Sequence, residues 1–351
     1  MQHQLRYATA IFLGLLVTLS ARAEIIAGGR PVNPKKDFTI SGSVGQITEI
    51  KGSVDETTRR VYDLLDLPEK QLDAESYDLN ELGLTESEII YGVNLEKQWR
   101  YITLLGDFAY LNAEANGVAK RDYFIGVDDI KFNGRSYEYM KLEDGESYKA
   151  TLDGAMIALR TQITPFTIAP ENIVSFTPWI HLGLQVIAGT FEVESESPAS
   201  RIQVYENPPR EYVVGGKGEG DSSVFAPELG AGGELRIYLG QTENGPVELA
   251  LQGTYAIFEY SGSSDALGIS SRNDKDLDVD YDMLELRAEF NYPLSTEVDL
   301  LLGAAYKLIT ADASSKAKIV SREEALTTRE KFDKDINLEL TMISAYAGFR
   351  F

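Results

Sequence analysis

The densest run of candidate ligands in the sequence is Asp274-Lys275-Asp276-Leu277-Asp278-Val279-Asp280-Tyr281-Asp282-Met283-Leu284-Glu285. Acids stand at positions one, three, five, seven and nine and a glutamate at twelve, the spacing with which a calcium loop wraps oxygens around a hard cation. Position six, where the sharp turn needs glycine, is Val279. The same spacing stacks Asp276, Asp278, Asp280 and Asp282 on one side of an emerging strand, so the run reads as a solvated acidic rim, with weak calcium or magnesium binding, at Asp276, Asp278 and Asp280, as the functional alternative. Ser175 and His181 are a second candidate, a hydroxyl and a base on one segment, but no acid adjoins His181 in Thr177-Pro178-Trp179-Ile180-His181-Leu182. Gly215-Gly216-Lys217-Gly218-Glu219-Gly220 resembles a phosphate loop only in its glycines. It lacks the Gly-Lys-Ser/Thr ending and reads as a loop tip. No cofactor, metal or catalytic set is expected.

Composition narrows the chemistry further. With no cysteine and two histidines, His3 and His181, the 351-residue chain has no thiol chemistry and no multi-histidine metal site. Its net charge of −22 opposes attraction to nucleic acid. Residues 1–23 read as a secretory signal peptide: Arg6, an apolar run from Ala8 to Leu19, then Ala21-Arg22-Ala23. That run is too short to span a bilayer as a helix.

From Phe38 onward the hydrophobic period is two. Leu284, Leu286, Ala288, Phe290 and Tyr292 share one face, and Glu285, Arg287, Glu289 and Asn291 the other. Val298 to Leu308 repeats the pattern, with Leu301 and Ile309 as exceptions. Ten strands are expected, at about 38–50, 88–97, 99–113, 148–162, 174–193, 227–240, 246–260, 281–292, 296–310 and 336–351. The connections between them alternate long and short. The long ones cover 51–87, 114–147, 194–226, 261–280 and 311–335, while the short ones hold breakers such as Asn244-Gly245-Pro246. Such asymmetry predicts an all-β chain folded as a transmembrane up-and-down antiparallel β-barrel of about ten strands, with long extracellular loops and short periplasmic turns. Within the long connections, Glu56 to Leu67 is expected to form a short amphipathic helix. Tyr123 to Leu142, around Asn133-Gly134, is expected to form a hairpin outside the membrane; twelve strands would result if both its arms joined the barrel. The domain plan is therefore 1–23 signal peptide, 24–37 periplasmic segment and 38–351 barrel.

A charge on the lipid face costs roughly 2 to 4 kcal/mol at the midplane for Arg or Lys. Arg160, Glu234, Arg236, Glu285, Arg287, Glu289 and Lys307 are therefore expected to share the lumen, together with Asp107, Glu248 and Asp299. Eight strands enclose a space that side chains can fill and sixteen leave a channel, so ten lie nearer the filled end. A network of paired charges is the first expectation and a narrow porin-like pore the alternative.

The chain ends Ile343-Ser344-Ala345-Tyr346-Ala347-Gly348-Phe349-Arg350-Phe351. This resembles the C-terminal targeting strand of bacterial outer-membrane β-barrel proteins. The resemblance implies that Phe349 and Phe351 serve as an assembly signal for the barrel-assembly machinery, and that the protein sits as a monomer among outer-membrane lipid and lipopolysaccharide. Leu338, Leu340 and Met342 depart from the pattern, since they share parity with Tyr346 and Arg350; a bulge or emergence from the membrane is the expected reason. Omptin proteases are also ten-stranded barrels and use an Asp pair with a His-Asp couple, which His181 without an adjacent acid does not match. A lumen histidine bonded to a polar neighbour is the simpler reading. The functional expectation is a non-enzymatic outer-membrane protein with a structural or surface-interaction role, then a narrow channel for ions or small solutes, then an outer-membrane enzyme.

Overall fold

The computed structural model describes residues 24–351 except 28, 31, 63–74, 79–80, 85–88, 133–134, 170–172, 198–199, 205–209, 264–274 and 324–325. The expected signal peptide, the expected helix beyond residue 62, Asn133-Gly134 and Asp274 lie outside the described residues. Among the described residues the chain is all strand, with no helix. In order these are β1 (Glu24–Ala27), β2 (Phe38–Tyr62), β3 (Glu75–Asp78), β4 (Ile90–Gln98), β5 (Ile102–Val118), β6 (Tyr123–Phe132), β7 (Arg135–Leu142), β8 (Ser147–Ile163), β9 (Phe166–Ala169), β10 (Val174–Ser195), β11 (Ser200–Val204), β12 (Arg210–Val214), β13 (Lys217–Thr242), β14 (Gly245–Ser263), β15 (Lys275–Pro293), β16 (Asp299–Glu323) and β17 (Leu326–Arg350).

Ten of them close into an antiparallel ring in the order β2, β4, β5, β8, β10, β13, β14, β15, β16, β17 and back to β2. The ring settles the count at ten rather than twelve, because β6 and β7 pair instead in a separate four-stranded sheet with β11 and β12. The expected helix from Glu56 is replaced by strand: β2 continues to Tyr62, paired with β17 as far as Tyr62 opposite Thr328. Propensity lost there to a ready-made neighbour, since an adjacent strand supplies every backbone partner that an isolated helical turn lacks. A spanning strand needs only about 9 to 11 residues. The 25 residues of β16 and of β17 therefore carry the wall well beyond the membrane.

The short connections stay tight. Between β13 and β14, Gly245 takes φ +145°, a backbone region that favours glycine, and accepts at its carbonyl from Thr242 Oγ1 at 2.9 Å. The ring is sealed by its last residue. Phe351 and Phe38 exchange backbone bonds of 2.8 and 2.9 Å and their rings lie 5.4 Å apart. Deleting Phe351 removes both backbone bonds and the ring contact at the closing seam, and is expected to lower the folded, heat-modifiable fraction on a semi-native gel. An unchanged band pattern would show that the seam closes without it.

The register of β17 against β2 slips at one place. Thr341 faces Glu49 and Met342 faces Ile47, so Thr48 is an extra residue in β2. The bulge reverses parity above it and turns both Ile47 and Ile50 inward, where neither is exposed. It lies opposite the inward run Leu338, Leu340 and Met342, with Leu340 and Met342 buried. The bulge expected at this place is thus present, with its extra residue on the β2 side of the pair. These residues keep inward parity, and the lumen they face is apolar.

Candidate functional site

Alternation places one side chain in two outside the ring. Val44, Val93, Leu104, Leu159, Leu182, Leu229, Leu251, Leu286, Leu302 and Ile343, one from each of the ten strands, are 40% to 59% exposed. Trp99, Tyr101, Tyr292 and Phe349 are exposed toward the short-turn end, and Tyr91 and Tyr110 toward the other. A soluble protein does not encircle itself with apolar surface. A closed ring satisfies every strand edge in lipid, and aromatic girdles mark the two interfaces. The chain is an outer-membrane β-barrel.

The inward face carries the charges in two tiers. In the middle of the barrel Arg160, from β8, reaches Glu228 at 2.6 Å, Asp107 at 2.9 Å and Glu285 at 3.5 Å, with Gln185 Oε1 accepting at 3.4 Å. The Tyr281 hydroxyl lies 2.8 Å from Gln185 Oε1 and 2.9 Å from Glu228 Oε1. Arg287 pairs with Glu285 and lies 3.4 Å from Asp107. Nearer the periplasm, Arg236 bridges Glu234 at 3.0 Å and Glu248 at 2.9 Å, and Arg350 meets Glu289 at 3.0 Å. The structure thus brings Arg160, Glu285 and Arg287 into one network, and Glu234 and Arg236 into another. Glu289 joins Arg350, and Lys307 faces the middle tier. Glu228 and Arg350 complete these networks and were not singled out in the sequence reading. Both could have been found there, because each sits on the inward parity of its strand.

The periplasmic opening is crossed by a strap. β1 pairs with β9 beside the β8 to β10 connection, and the chain then runs to Lys36, which pairs with Asp299 and donates to the Ser295 carbonyl at 2.9 Å. Between these anchors the buried Arg30 guanidinium lies 3.7 Å from Glu234, 3.9 Å from Glu96 and 5.8 Å from the Trp179 ring centroid. The described residues from Gly29 to Lys36 thus lie across the short-turn end of the ring.

Above the charges the lumen becomes apolar. Ile47, Ile50, Leu111, Tyr281, Met283, Leu340 and Met342 form one buried cluster with Ile309. Leu82 and Leu84, from the connection before β4, drop into it and are fully buried, while Glu81 between them and β3 stays outside and holds Arg121 at 3.0 Å. Gly83, at φ +78°, makes the turn between the two leucines. Leu301 is also buried in the lumen, lower down. Outside the membrane, at the foot of the β6–β7 hairpin, Lys141 lies 2.8 Å from Asp122, and that hydrogen bond holds the Asp122 carboxyl below its ordinary range. The contact therefore persists below the usual aspartate pKa and is lost as pH falls through the lowered one.

The remaining candidates do not assemble a reactive site. Ser175 and His181 share the inward face but are six residues apart along β10, roughly 20 Å. His181 is buried with neither ring nitrogen hydrogen-bonded among the described residues, which corrects the expectation of a polar partner. Its ring packs over Gly230, where a Cβ would stand 2.2 Å from Cε1. Asp276 is paired opposite Ser263 and Lys316, and Asp278 and Asp280 keep outward parity on β15, with Asp280 opposite Asp312 of β16 and Glu259 of β14. No group of three or more acids or histidines among the described residues is arranged to hold a metal.

No family model matches the chain, and no curated protein matches it in sequence. Among solved structures it is similar to the outer membrane protease OmpT from Escherichia coli, at 9% identity over 86% of this chain and 96% of that one, with a TM-score of 0.33. It is also similar to the transport unit of the autotransporter AIDA-I from Escherichia coli, at 10% identity over 92% of each chain and a TM-score of 0.32. A Pseudomonas aeruginosa FadL homologue follows at 8% identity over 90% of each chain, with a TM-score of 0.21. Likeness this loose transfers no activity.

Proposed function

We propose that the protein is a plugged, non-enzymatic outer-membrane barrel that acts as a structural or surface-interaction component through the strands it raises above the membrane. The observation that carries this reading is the filling of the lumen at three levels: the Arg30 strap, the charge tiers and the apolar plug with Leu82 and Leu84. Side chains fill barrels of about this size, whereas wider ones conduct. The wall formed by β14 to β17 and β2, and the β6–β7–β12–β11 sheet, offer the surface for contact. Lipopolysaccharide is the partner proposed for the outer rim, and the barrel-assembly machinery for the Phe349 to Phe351 end. Ser175 and His181, held apart on one strand, give no support to an enzyme.

Planar-bilayer recording tests the proposal. The wild type is expected to show no stepwise conductance. Leu82→Asp with Leu84→Asp wets the plug and is expected to raise the frequency of brief openings, while the charge tiers and strap keep steady current absent. Stable open steps from the wild type would overturn the plugged reading in favour of a narrow pore.

A further inference from the structure

The strap across the periplasmic opening is needed there for its charge, and yet it fits its seat poorly. Among the described residues, the inward faces at that end carry Glu96, Glu234, Glu248, Glu289 and Asp299, and the wall itself answers these five carboxylates with two guanidiniums, Arg236 and Arg350. Arg30 and Lys36, both from the strap, supply two further cations. The middle tier needs no such help, since its own wall sets Arg160, Arg287 and Lys307 among Asp107, Glu228 and Glu285. The short-turn end is therefore an acidic seat that takes its counter-charge from outside the wall.

The seat recognises backbone as well as charge. Residues 24–27 add to β9 as an antiparallel strand, from Glu24 opposite Ala169 to Ala27 opposite Phe166. Gly29 then donates to the Pro165 carbonyl at 3.3 Å, and the Arg30 amide to the Arg100 carbonyl at 2.8 Å. At Gly29 φ is +82° and a Cβ would stand 2.1 Å from the Arg100 oxygen, so the position takes glycine alone. Trp179 lies along Gly232, where a Cβ would stand 2.6 Å from its Nε1, and its ring underlies the Arg30 guanidinium.

The fit is incomplete. The Arg30 guanidinium stays 3.7 and 3.9 Å from its carboxylates, beyond hydrogen-bond length, whereas Arg236 reaches its own at 2.9 and 3.0 Å. Arg30 Nε, Trp179 Nε1 and the Thr164 hydroxyl are buried around this seat with no hydrogen-bond partner among the described residues. Water satisfies all three once the strap lifts, which lowers the cost of release. Release leaves an open β9 edge beside an acidic wall.

We propose that the periplasmic mouth is a docking groove for an extended, arginine-bearing segment of a periplasmic protein, and that residues 24–36 are its resident, displaceable occupant. The incoming segment adds to β9 as a strand, sets a glycine against the Arg100 carbonyl and lays its arginine over Trp179, between Glu96 and Glu234. A peptide suits the groove better than a free cation because strand addition supplies main-chain bonds. Arginine suits it better than lysine because a planar guanidinium stacks on an indole. The contacts that hold the middle tier and the apolar plug are made without the strap, so its displacement leaves the lumen closed.

Fluorescence anisotropy of a labelled synthetic peptide of residues 24–36, added to the full-length protein refolded in detergent, tests the groove. One saturable equivalent is expected. Arg30→Gln in the protein weakens the resident strap and is expected to tighten peptide binding by roughly tenfold or more, with the heat-modifiable gel band unchanged. Against that variant, a peptide carrying Arg30→Gln is expected to bind roughly tenfold more weakly than the native peptide. A peptide carrying Gly29→Ala, which keeps every charge, is expected to lose saturable binding. Agmatine, a guanidinium with no strand to add, is expected not to displace the native peptide at equal concentration. No saturable uptake by either protein would overturn the proposal, and uptake by the Arg30→Gln protein alone would make the strap a permanent closure and overturn its exchange. Equal binding of the Arg30→Gln peptide would overturn the role of the guanidinium. Equal binding of the Gly29→Ala peptide would reduce the contact to charge adsorption and overturn the groove, and displacement by agmatine would overturn the choice of a peptide. Should the Arg30→Gln protein fail to fold, the wild type with the same ligands decides. Conductance enters none of these outcomes, so docking at the mouth and the plugged-barrel reading stand or fall separately.

Discussion

Arg160→Met is expected to cost about 3 to 5 kcal/mol of unfolding free energy, because removing one partner from a buried ion pair leaves the other charge uncompensated. Here a single guanidinium holds Glu228, Asp107 and Glu285, and only the last two are also ion-paired with Arg287. Glu228 retains the Tyr281 hydroxyl as its hydrogen-bond partner and only the more distant Lys307 ammonium as a cation. Urea unfolding in phospholipid vesicles, followed by tryptophan fluorescence and by heat modifiability, measures the loss. Arg160→Met combined with Glu228→Leu is expected to recover part of it, since replacing both members of a buried pair with apolar residues avoids the orphaned charge. A double variant as damaged as the sum of the two single changes would show that the tier acts as separate contacts rather than as one network.

Leu286→Arg carries the second large effect. Leu286 is exposed on the lipid face of β15, one residue from the inward Glu285 and Arg287. An arginine there places a charge in hydrocarbon, at a cost of roughly 2 to 4 kcal/mol near the midplane. Arg287→Leu is expected to harm folding less, because its two carboxylates, Asp107 and Glu285, still reach Arg160. The folded fraction after dilution from urea into vesicles compares the two. Equal damage, or the reverse order, would place β15 in the opposite register and remove the assignment of its lumen residues.

Period-two alternation made the barrel legible before any coordinates. A one-residue slip exchanges the two faces of a strand, so where one face meets lipid the sequence must keep strict parity. Leu286 and Phe290 against Glu285, Arg287 and Glu289 is such a record, and the strictly alternating loop lengths ordered the strands around it. The helix expected from Glu56 shows the limit of local reading. Its side-chain pattern is compatible with a helical turn, and β17, which supplies the backbone partners instead, lies more than 260 residues away.

The exceptions to alternation were harder to interpret, and they turned out to locate the plug. Ile309, Leu340 and Met342 look like lapses in a polar lumen face as long as the lumen is taken to be wet. Alternation states which face a residue occupies; whether that face is dry depends on what fills the space opposite. Leu82 and Leu84 fill it, and they come from a connection whose hydrophobic residues have no period to announce them.

The sequence by itself determined an exported, cysteine-free chain of ten membrane strands with its charges turned inward, because compartment, hydrophobic period and the cost of a charge in lipid are all local properties. Only the tertiary structure decided which charges meet. Arg160 finds partners 53, 68 and 125 residues away, and the closing seam of the ring carries the bulge at Thr48, which turns Ile47 and Ile50 together into the lumen. Cross-lumen distance is a property of the closed ring, fixed by its register and strand tilt once ten segments have joined, and no single segment contains it.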